Sequence, residues 1–128
     1  GCGYLGMRAA LSWRATSGEV TALTRSSARA DDWRTQGIGS AAGDVLQPES
    51  LRQLPACDVL LYAVGYDRTA GVDKRQLYVD GLRNVLNAMH GRVGRFVYVS
   101  SSSVYGEDAG GWEYEASPTQ PQTEGGRI

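Results

Sequence analysis

The chain has 128 residues, of which 41% are hydrophobic and 21% are charged, and its formal net charge is −1. This length corresponds to one domain, and the composition is that of an ordinary globular protein. The near-zero charge argues against a broad electrostatic surface for nucleic acid or an anionic membrane, and no apolar run is as long as a membrane span.

The chain begins with a Gly-x-Gly-x-x-Gly pattern formed by Gly1, Gly3 and Gly6. Such glycines allow a tight turn after a strand, close approach of the backbone to a pyrophosphate, and packing of the following helix. A glycine-rich N-terminal loop is the alternative interpretation, because glycine makes up 17 of the 128 residues. No strand precedes the motif, so we expect the chain to lack the first strand of a dinucleotide-binding fold.

The apolar periodicity beyond this motif predicts alternating helices and strands. In chain order, the pattern predicts a helix at 5–15, a strand at 19–24, a helix at 28–36, a weak strand at 38–42, a short helix at 48–54, a strand at 58–64, a long helix at 72–89 and a strand at 95–99. This alternation is typical of a parallel sheet with helices on both faces. The polar, Gly- and Pro-containing segment 106–128 is interpreted as a loop beside a substrate site.

The cysteine and histidine content is low, with Cys2, Cys57 and His90 as the only such residues. These residues are too few and too far apart for a zinc-type site, so no metal is expected. Cys57 begins an apolar run and is interpreted as a core residue, whereas Cys2 is either a packed or a reactive thiol. This cysteine usage is typical of a reducing compartment, and we expect a cytoplasmic protein.

Four segments occur in the order found in one family: residues 1–6, 20–25, 43–45 and 96–106. The last is the most specific and reads Phe-Val-Tyr-Val-Ser-Ser-Ser-Ser-Val-Tyr-Gly. Together they resemble the extended and atypical short-chain dehydrogenase/reductases, the NAD(P)-dependent epimerase/dehydratase group. The resemblance implies an α/β fold, a Rossmann-like doubly wound parallel sheet, over residues 1–128. We expect this sheet to be incomplete, with the first strand and the substrate lobe missing.

The same resemblance implies a set of cofactor-binding residues. The pyrophosphate would contact the glycine motif, and the other residues would flank the adenine ring or the nicotinamide ribose. Two of them, Arg25 and Ser26, lie at the end of the family's second strand. The other implied residues are Gly1, Gly3, Tyr4, Leu5, Gly6, Asp44, Val45, Ala63, Val64 and Gly65. For the pair at Asp44 and Val45, an ordinary loop remains an equal alternative.

Arg25 and Ser26 stand where the family distinguishes NAD from NADP. An acidic residue there binds the ribose 2′-hydroxyl of NAD, whereas an arginine accommodates the 2′-phosphate of NADP. The alternative is a solvated arginine at a strand end. The resemblance therefore favours NADP over NAD, with a small molecule as substrate and with no nucleic-acid or membrane partner; oligomeric state stays open.

The family's reaction uses a Tyr-x-x-x-Lys pair and a Ser or Thr near the substrate oxygen. Ser101 matches that serine, although capping of a turn is the alternative. No tyrosine has a lysine four residues later, and Gly126 and Arg127 stand in that region, as in the atypical branch. Two functions stay open: an epimerase/dehydratase-like oxidoreductase, or a non-catalytic NADP-binding sensor or regulatory protein. A methyltransferase is disfavoured because Arg25 stands where it needs an acidic residue.

Overall fold

The computed structural model describes residues 2–106 and 110–128, in which helices and strands alternate. The longer elements are α1 (Tyr4–Ser17), β1 (Thr21–Thr24), α2 (Ser27–Thr35), β2 (Gly39–Ala42), β3 (Cys57–Tyr62), α3 (Gly81–Met89), β4 (Val93–Tyr98) and α4 (Glu124–Arg127). Single turns of 3-10 helix lie at Pro48–Leu51 and Ser102–Val104, and a π-helical turn at Gln76–Asp80 leads into α3. The predicted α/β alternation is therefore confirmed.

The strands form two parallel pairs. β1 lies beside β2 with Leu23 opposite Ala41, and β3 lies beside β4 with Leu60 opposite Phe96. Among the residues that the structure describes, no strand joins β1 to β3, so each pair is a separate two-stranded sheet. Parallel neighbours need a crossover, and here it contains α2 in the first pair and α3 in the second. The parallel arrangement confirms the predicted fold class.

Each strand pair packs on its own group of buried side chains. The first pair shares a cluster of Ala10, Ala22, Trp33 and Ile38, which connects α1 and α2 to the strands. The second pair shares a larger cluster of Val45, Leu51, Leu54, Tyr62, Val85 and Met89. Burial of such apolar side chains is the main favourable term in folding. No helix in the described ranges is long and apolar enough to cross a bilayer.

Three elements differ from their predicted bounds. The helix predicted at 48–54 is a single 3-10 turn that ends at Leu51. The long helix predicted from residue 72 contains the π-helical turn before α3. The segment predicted as a loop at 106–128 includes α4, whose N-terminus is capped by the Thr123 hydroxyl accepting from Gly126 N–H at 3.1 Å. Periodicity does not detect a helix of four residues.

Gly81 lies where the π-helical turn meets α3, and its lack of a side chain allows close packing. A Cβ atom there would lie 2.9 Å from Val45 Cγ2 and 3.3 Å from the Tyr62 hydroxyl. Both neighbours are buried and have little room to move. We expect Gly81→Ala to lower the free energy of unfolding by about 1–2 kcal/mol, since overpacking outweighs the gain in helix propensity.

Chemical denaturation of the Gly81→Ala variant tests this packing. Gly125→Ala is a suitable control, because an added Cβ in α4 would meet only the flexible end of Lys74, at 3.4 Å. The control is expected to retain the wild-type denaturation midpoint. A Gly81→Ala variant as stable as the wild type would show that Val45 can move aside.

Candidate functional site

A cleft of about 440 Å³ opens where the carboxyl ends of β1 and β3 face the start of α1. Ligand pockets commonly have volumes of about 300–1,000 Å³, so this cleft is large enough to hold part of a cofactor. It is lined by Cys2, Gly3, Tyr4, Leu5, Gly6, Leu23, Thr24, Arg25, Arg29, Trp33, Gly43, Asp44, Val45, Ala63, Val64, Gly65, Tyr66, Asp67, Ala70, Val72 and Leu77. Open α/β sheets bind their ligands at this edge.

The N-terminus of α1 supplies one wall of the cleft. Its first intrahelical hydrogen bond runs from Met7 N–H to the Gly3 carbonyl oxygen at 2.9 Å, so the preceding N–H groups have no acceptor within the helix. No side chain caps this end, and the first turn contains no acidic residue. Helix N–H groups and the helix dipole both favour an anion here.

The turn after β1 places Arg25 in the cleft. Thr24 is buried, and its hydroxyl oxygen accepts a hydrogen bond from Ser26 N–H at 3.0 Å, which fixes the turn around Arg25. The Ser26 hydroxyl accepts from Arg29 N–H at 3.3 Å and caps α2. Because this cap fixes the first turn of α2, Arg29 also lines the cleft, whereas Ser26 itself does not.

The loop after β2 carries Asp44 and Val45 to the same edge. The Asp44 carboxylate accepts from Leu46 N–H at 2.9 Å and lies 3.7 Å from the Arg25 guanidinium. Asn84 of α3 donates its amide to the Val45 carbonyl oxygen at 2.9 Å. This bond joins residues 39 positions apart in the chain, so the loop is anchored to the second cluster. Val45 is largely buried, and its side chain belongs to the core as well as to the cleft.

The loop after β3 forms another wall of the cleft. Tyr66 N–H donates to the Tyr78 hydroxyl at 3.1 Å, and the Lys74 ammonium lies 5.5 Å from the centre of the Tyr66 ring. Tyr78 belongs to the π-helical turn, a feature that is frequent at functional sites. These contacts hold the loop that presents Ala63–Asp67 to the cleft.

Asp67 is an acidic residue in the same loop. Its carboxylate accepts hydrogen bonds from the Thr69 hydroxyl at 2.7 Å and from Thr69 N–H at 2.9 Å. These bonds, and then the charges of Arg25 and Arg29, hold the pKa of Asp67 below its usual value. The carboxylate is therefore ionised at neutral pH and lies within electrostatic reach of both guanidinium groups.

Ser101 lies outside the lining of this cleft. Its hydroxyl accepts from Ser103 N–H at 3.2 Å and caps the 3-10 turn at Ser102–Val104. The C-terminal segment packs on that turn, where Gly126 approaches the Ser103 carbonyl so closely that a Cβ atom would overlap it. The serine segment at 100–103 is therefore in contact with the C-terminal segment that contains Gly126 and Arg127.

The Cys2 thiol lies in the cleft, and burial raises its pKa, which disfavours the reactive thiolate. Burial likewise raises the pKa of Cys57, with the Asp58 charge adding to the effect. Within residues 2–106 and 110–128, no group of three or more His, Cys, Asp or Glu side chains is placed to hold a metal ion.

The structure brings most of the sequence-predicted cofactor residues into the one cleft. Those that line it are Gly3, Tyr4, Leu5, Gly6, Arg25, Asp44, Val45, Ala63, Val64 and Gly65. Gly1 lies outside the described residues. Ser26 and Ser101 do not line the cleft, and each serves as a helix cap. The sequence pointed to Arg29, with Arg25, as a local basic group for phosphate, but it did not point to Asp67 or Asn84. The only signal for Asp67 is its position, since it follows β3 and this strand ends at the cleft.

Comparison with known proteins agrees with this geometry. Residues 3–122 match the family described as NAD(P)H-binding. The chain belongs to this NAD(P)H-binding family. Protein YeeZ from Escherichia coli, in strains K12 and O157:H7, is 30% identical over 134 aligned positions that cover 100% of this chain. The predicted recognition of an NAD(P)-binding, epimerase/dehydratase-like chain with a Rossmann-like fold is therefore confirmed.

A solved structure supports the same fold. A protein from Methylobacillus flagellatus, described as a candidate NAD-dependent epimerase/dehydratase, superimposes with a TM-score of 0.74 at 30% identity. The match covers 98% of this NAD(P)H-binding chain but 44% of that protein. The chain likewise spans 48% of the length of the YeeZ proteins. It therefore corresponds to about half the length of these relatives.

Proposed function

We propose that the cleft binds NADP in preference to NAD, as the cofactor-binding part of an epimerase/dehydratase-like oxidoreductase. One observation carries the proposal: the uncapped N-terminus of α1 and the Arg25 guanidinium line the same cleft. The helix end suits the pyrophosphate, and a planar guanidinium suits a 2′-phosphate. The name of the Methylobacillus protein adds support for the reaction class.

In this arrangement, the chain's own residues bind and orient the dinucleotide. Gly3 to Gly6 would hold the pyrophosphate, and Asp44 and Val45 would flank the adenine. Ala63, Val64 and Gly65 would lie against the nicotinamide ribose, where small side chains leave room for the ring. The cofactor supplies the hydride chemistry when bound, and the protein supplies its position.

A non-catalytic NADP-binding role is the second candidate, and the serine segment favours it. The Ser101 hydroxyl is already used as a cap, and no tyrosine in the sequence has a lysine four residues later. Lys74, the only lysine, stacks on Tyr66. If the oxidoreductase proposal is correct, Ser101 would release its cap to bond a substrate oxygen. A Ser101→Ala variant of an active protein would then lose turnover while keeping cofactor affinity.

The cofactor preference is tested by titrating the chain with NADPH and with NADH. Arg25→Ala is expected to weaken NADPH binding by about tenfold, because a charge-assisted hydrogen bond to phosphate contributes roughly 1.5–3 kcal/mol before solvent screening. Binding of NADH, which has no 2′-phosphate, should change by less than about twofold. Arg52→Ala, an exposed arginine outside the cleft lining, provides the matched control. Equal NADPH and NADH affinities, unaffected by Arg25→Ala, would contradict the NADP assignment.

A further inference from the structure

The charged side chains of the cleft balance one another. Two arginines, Arg25 and Arg29, follow β1, while two carboxylates, Asp44 and Asp67, follow β2 and β3. The Arg25 guanidinium already forms an ion pair with the Asp44 carboxylate, at an N–O distance of 3.7 Å. Among the described residues, Arg29 forms no ion pair within contact distance, and its charge acts on Asp67. A phosphate group entering this part of the cleft meets no net positive charge from side chains.

Of these two carboxylates, only that of Asp44 forms an ion pair, whereas the structural contacts of Asp67 do not require its negative charge. Asp44 holds its loop through Leu46 N–H and pairs with Arg25. Asp67 turns its own loop through one oxygen, Oδ1, which accepts both hydrogen bonds from Thr69. An asparagine has a carbonyl oxygen in the same place, so it can accept the same two bonds without the negative charge.

We propose that Asp67 limits the cleft's preference for NADP by repelling a phosphate group bound at Arg25 and Arg29. The inference rests on the proposed NADP function of the same site. The Asp67 carboxylate attracts the two guanidinium groups, so a bound phosphate dianion has to compete with this attraction. The same carboxylate also repels the dianion directly. Both effects weaken binding of the dinucleotide that carries the additional phosphate, and neither acts on the dinucleotide that lacks it.

The test compares the wild-type chain with Asp67→Asn, using NADPH and NADH titrations at low and moderate salt. Asp67→Asn is expected to tighten NADPH binding by about three- to tenfold while NADH changes by less than about twofold. The gain should shrink as salt is added, since screening acts over about 8 Å at 0.15 M ionic strength. Glu19→Gln is the matched control, because it removes one exposed charge at the opposite end of β1.

Other outcomes overturn the inference. Weaker NADPH binding in Asp67→Asn would mean that the carboxylate orients the guanidinium groups, and equal losses for both dinucleotides would mean that it contacts the ribose. An unchanged NADPH to NADH ratio would also contradict the proposal, even where Arg25→Ala confirms the NADP site. A chain and an Asp67→Asn variant that bind neither dinucleotide would instead overturn the proposed function itself.

Discussion

Gly3→Val is expected to weaken binding of both NADPH and NADH by about 100-fold without unfolding the chain. A Cβ atom at Gly3 meets no protein atom within 4 Å. The added isopropyl group would therefore extend into the open cleft in front of α1. That space is where the pyrophosphate would contact the helix N–H groups.

The expected size follows from the contacts that the pyrophosphate would lose. Two charge-assisted hydrogen bonds contribute roughly 1.5–3 kcal/mol each, and loss of one or two corresponds to about a 100-fold change in affinity. Arg25→Ala differs from Gly3→Val because it acts only on the dinucleotide with a 2′-phosphate. Gly3→Val therefore tests whether the cleft binds a dinucleotide at all, and Arg25→Ala tests whether it prefers NADPH to NADH.

Titration and circular dichroism of the same preparations check the Gly3 prediction. Ala15→Val provides the matched control, since it adds a valine to an exposed position near the other end of α1. Both variants should retain the wild-type spectrum, and the control should also retain binding. A folded Gly3→Val variant that binds NADPH normally would place the dinucleotide away from the glycine motif.

Leu51→Ala is expected to lower the free energy of unfolding by about 2–5 kcal/mol. Leu51 ends the 3-10 turn at Pro48–Leu51 and is 0% exposed within the second cluster. Removal of the Cγ methine and the two Cδ methyl carbons leaves a cavity that buried neighbours such as Val85 and Tyr62 fill only in part. Since small domains have only about 5–15 kcal/mol of total stability, such a loss removes much of it.

Chemical denaturation monitored by circular dichroism measures the Leu51 effect. Leu11→Ala, which truncates a leucine that is 43% exposed on α1, is the control and should cost less than about 1 kcal/mol. Similar losses in the two variants would contradict the assignment of Leu51 to the centre of the core. The comparison also tests whether the second cluster carries more of the stability than the surface of α1.

Much of the fold was predictable because it depends on local patterns. The apolar run at β3 and the long amphipathic helix before β4 gave elements of the correct type and order. Gly3, Gly6 and Arg25 line one cleft, because parallel strands end at one edge and the residues that follow them meet there. The weak strand at β2 was also predicted, although its burial is slight.

Features that depend on contacts between distant segments could not be predicted. The π-helical turn ends at the closely packed Gly81, and apolar periodicity does not record either feature. Asn84 anchors the Val45 loop across 39 positions, and Lys74 stacks on Tyr66. The cap made by Ser101 is a local bond, yet the sequence was equally consistent with a substrate contact, and only the structure shows the cap.

The sequence by itself determined that this is an NAD(P)-binding α/β chain, because glycine spacing and strand patterning express backbone requirements that are local. Only the tertiary structure decided the electrostatics of the cleft. Arg25 and Arg29 follow β1, whereas Asp67 follows β3, and their charges act on one another through space. Charge interactions depend on distance in three dimensions, and the separation of residues along the chain does not give that distance.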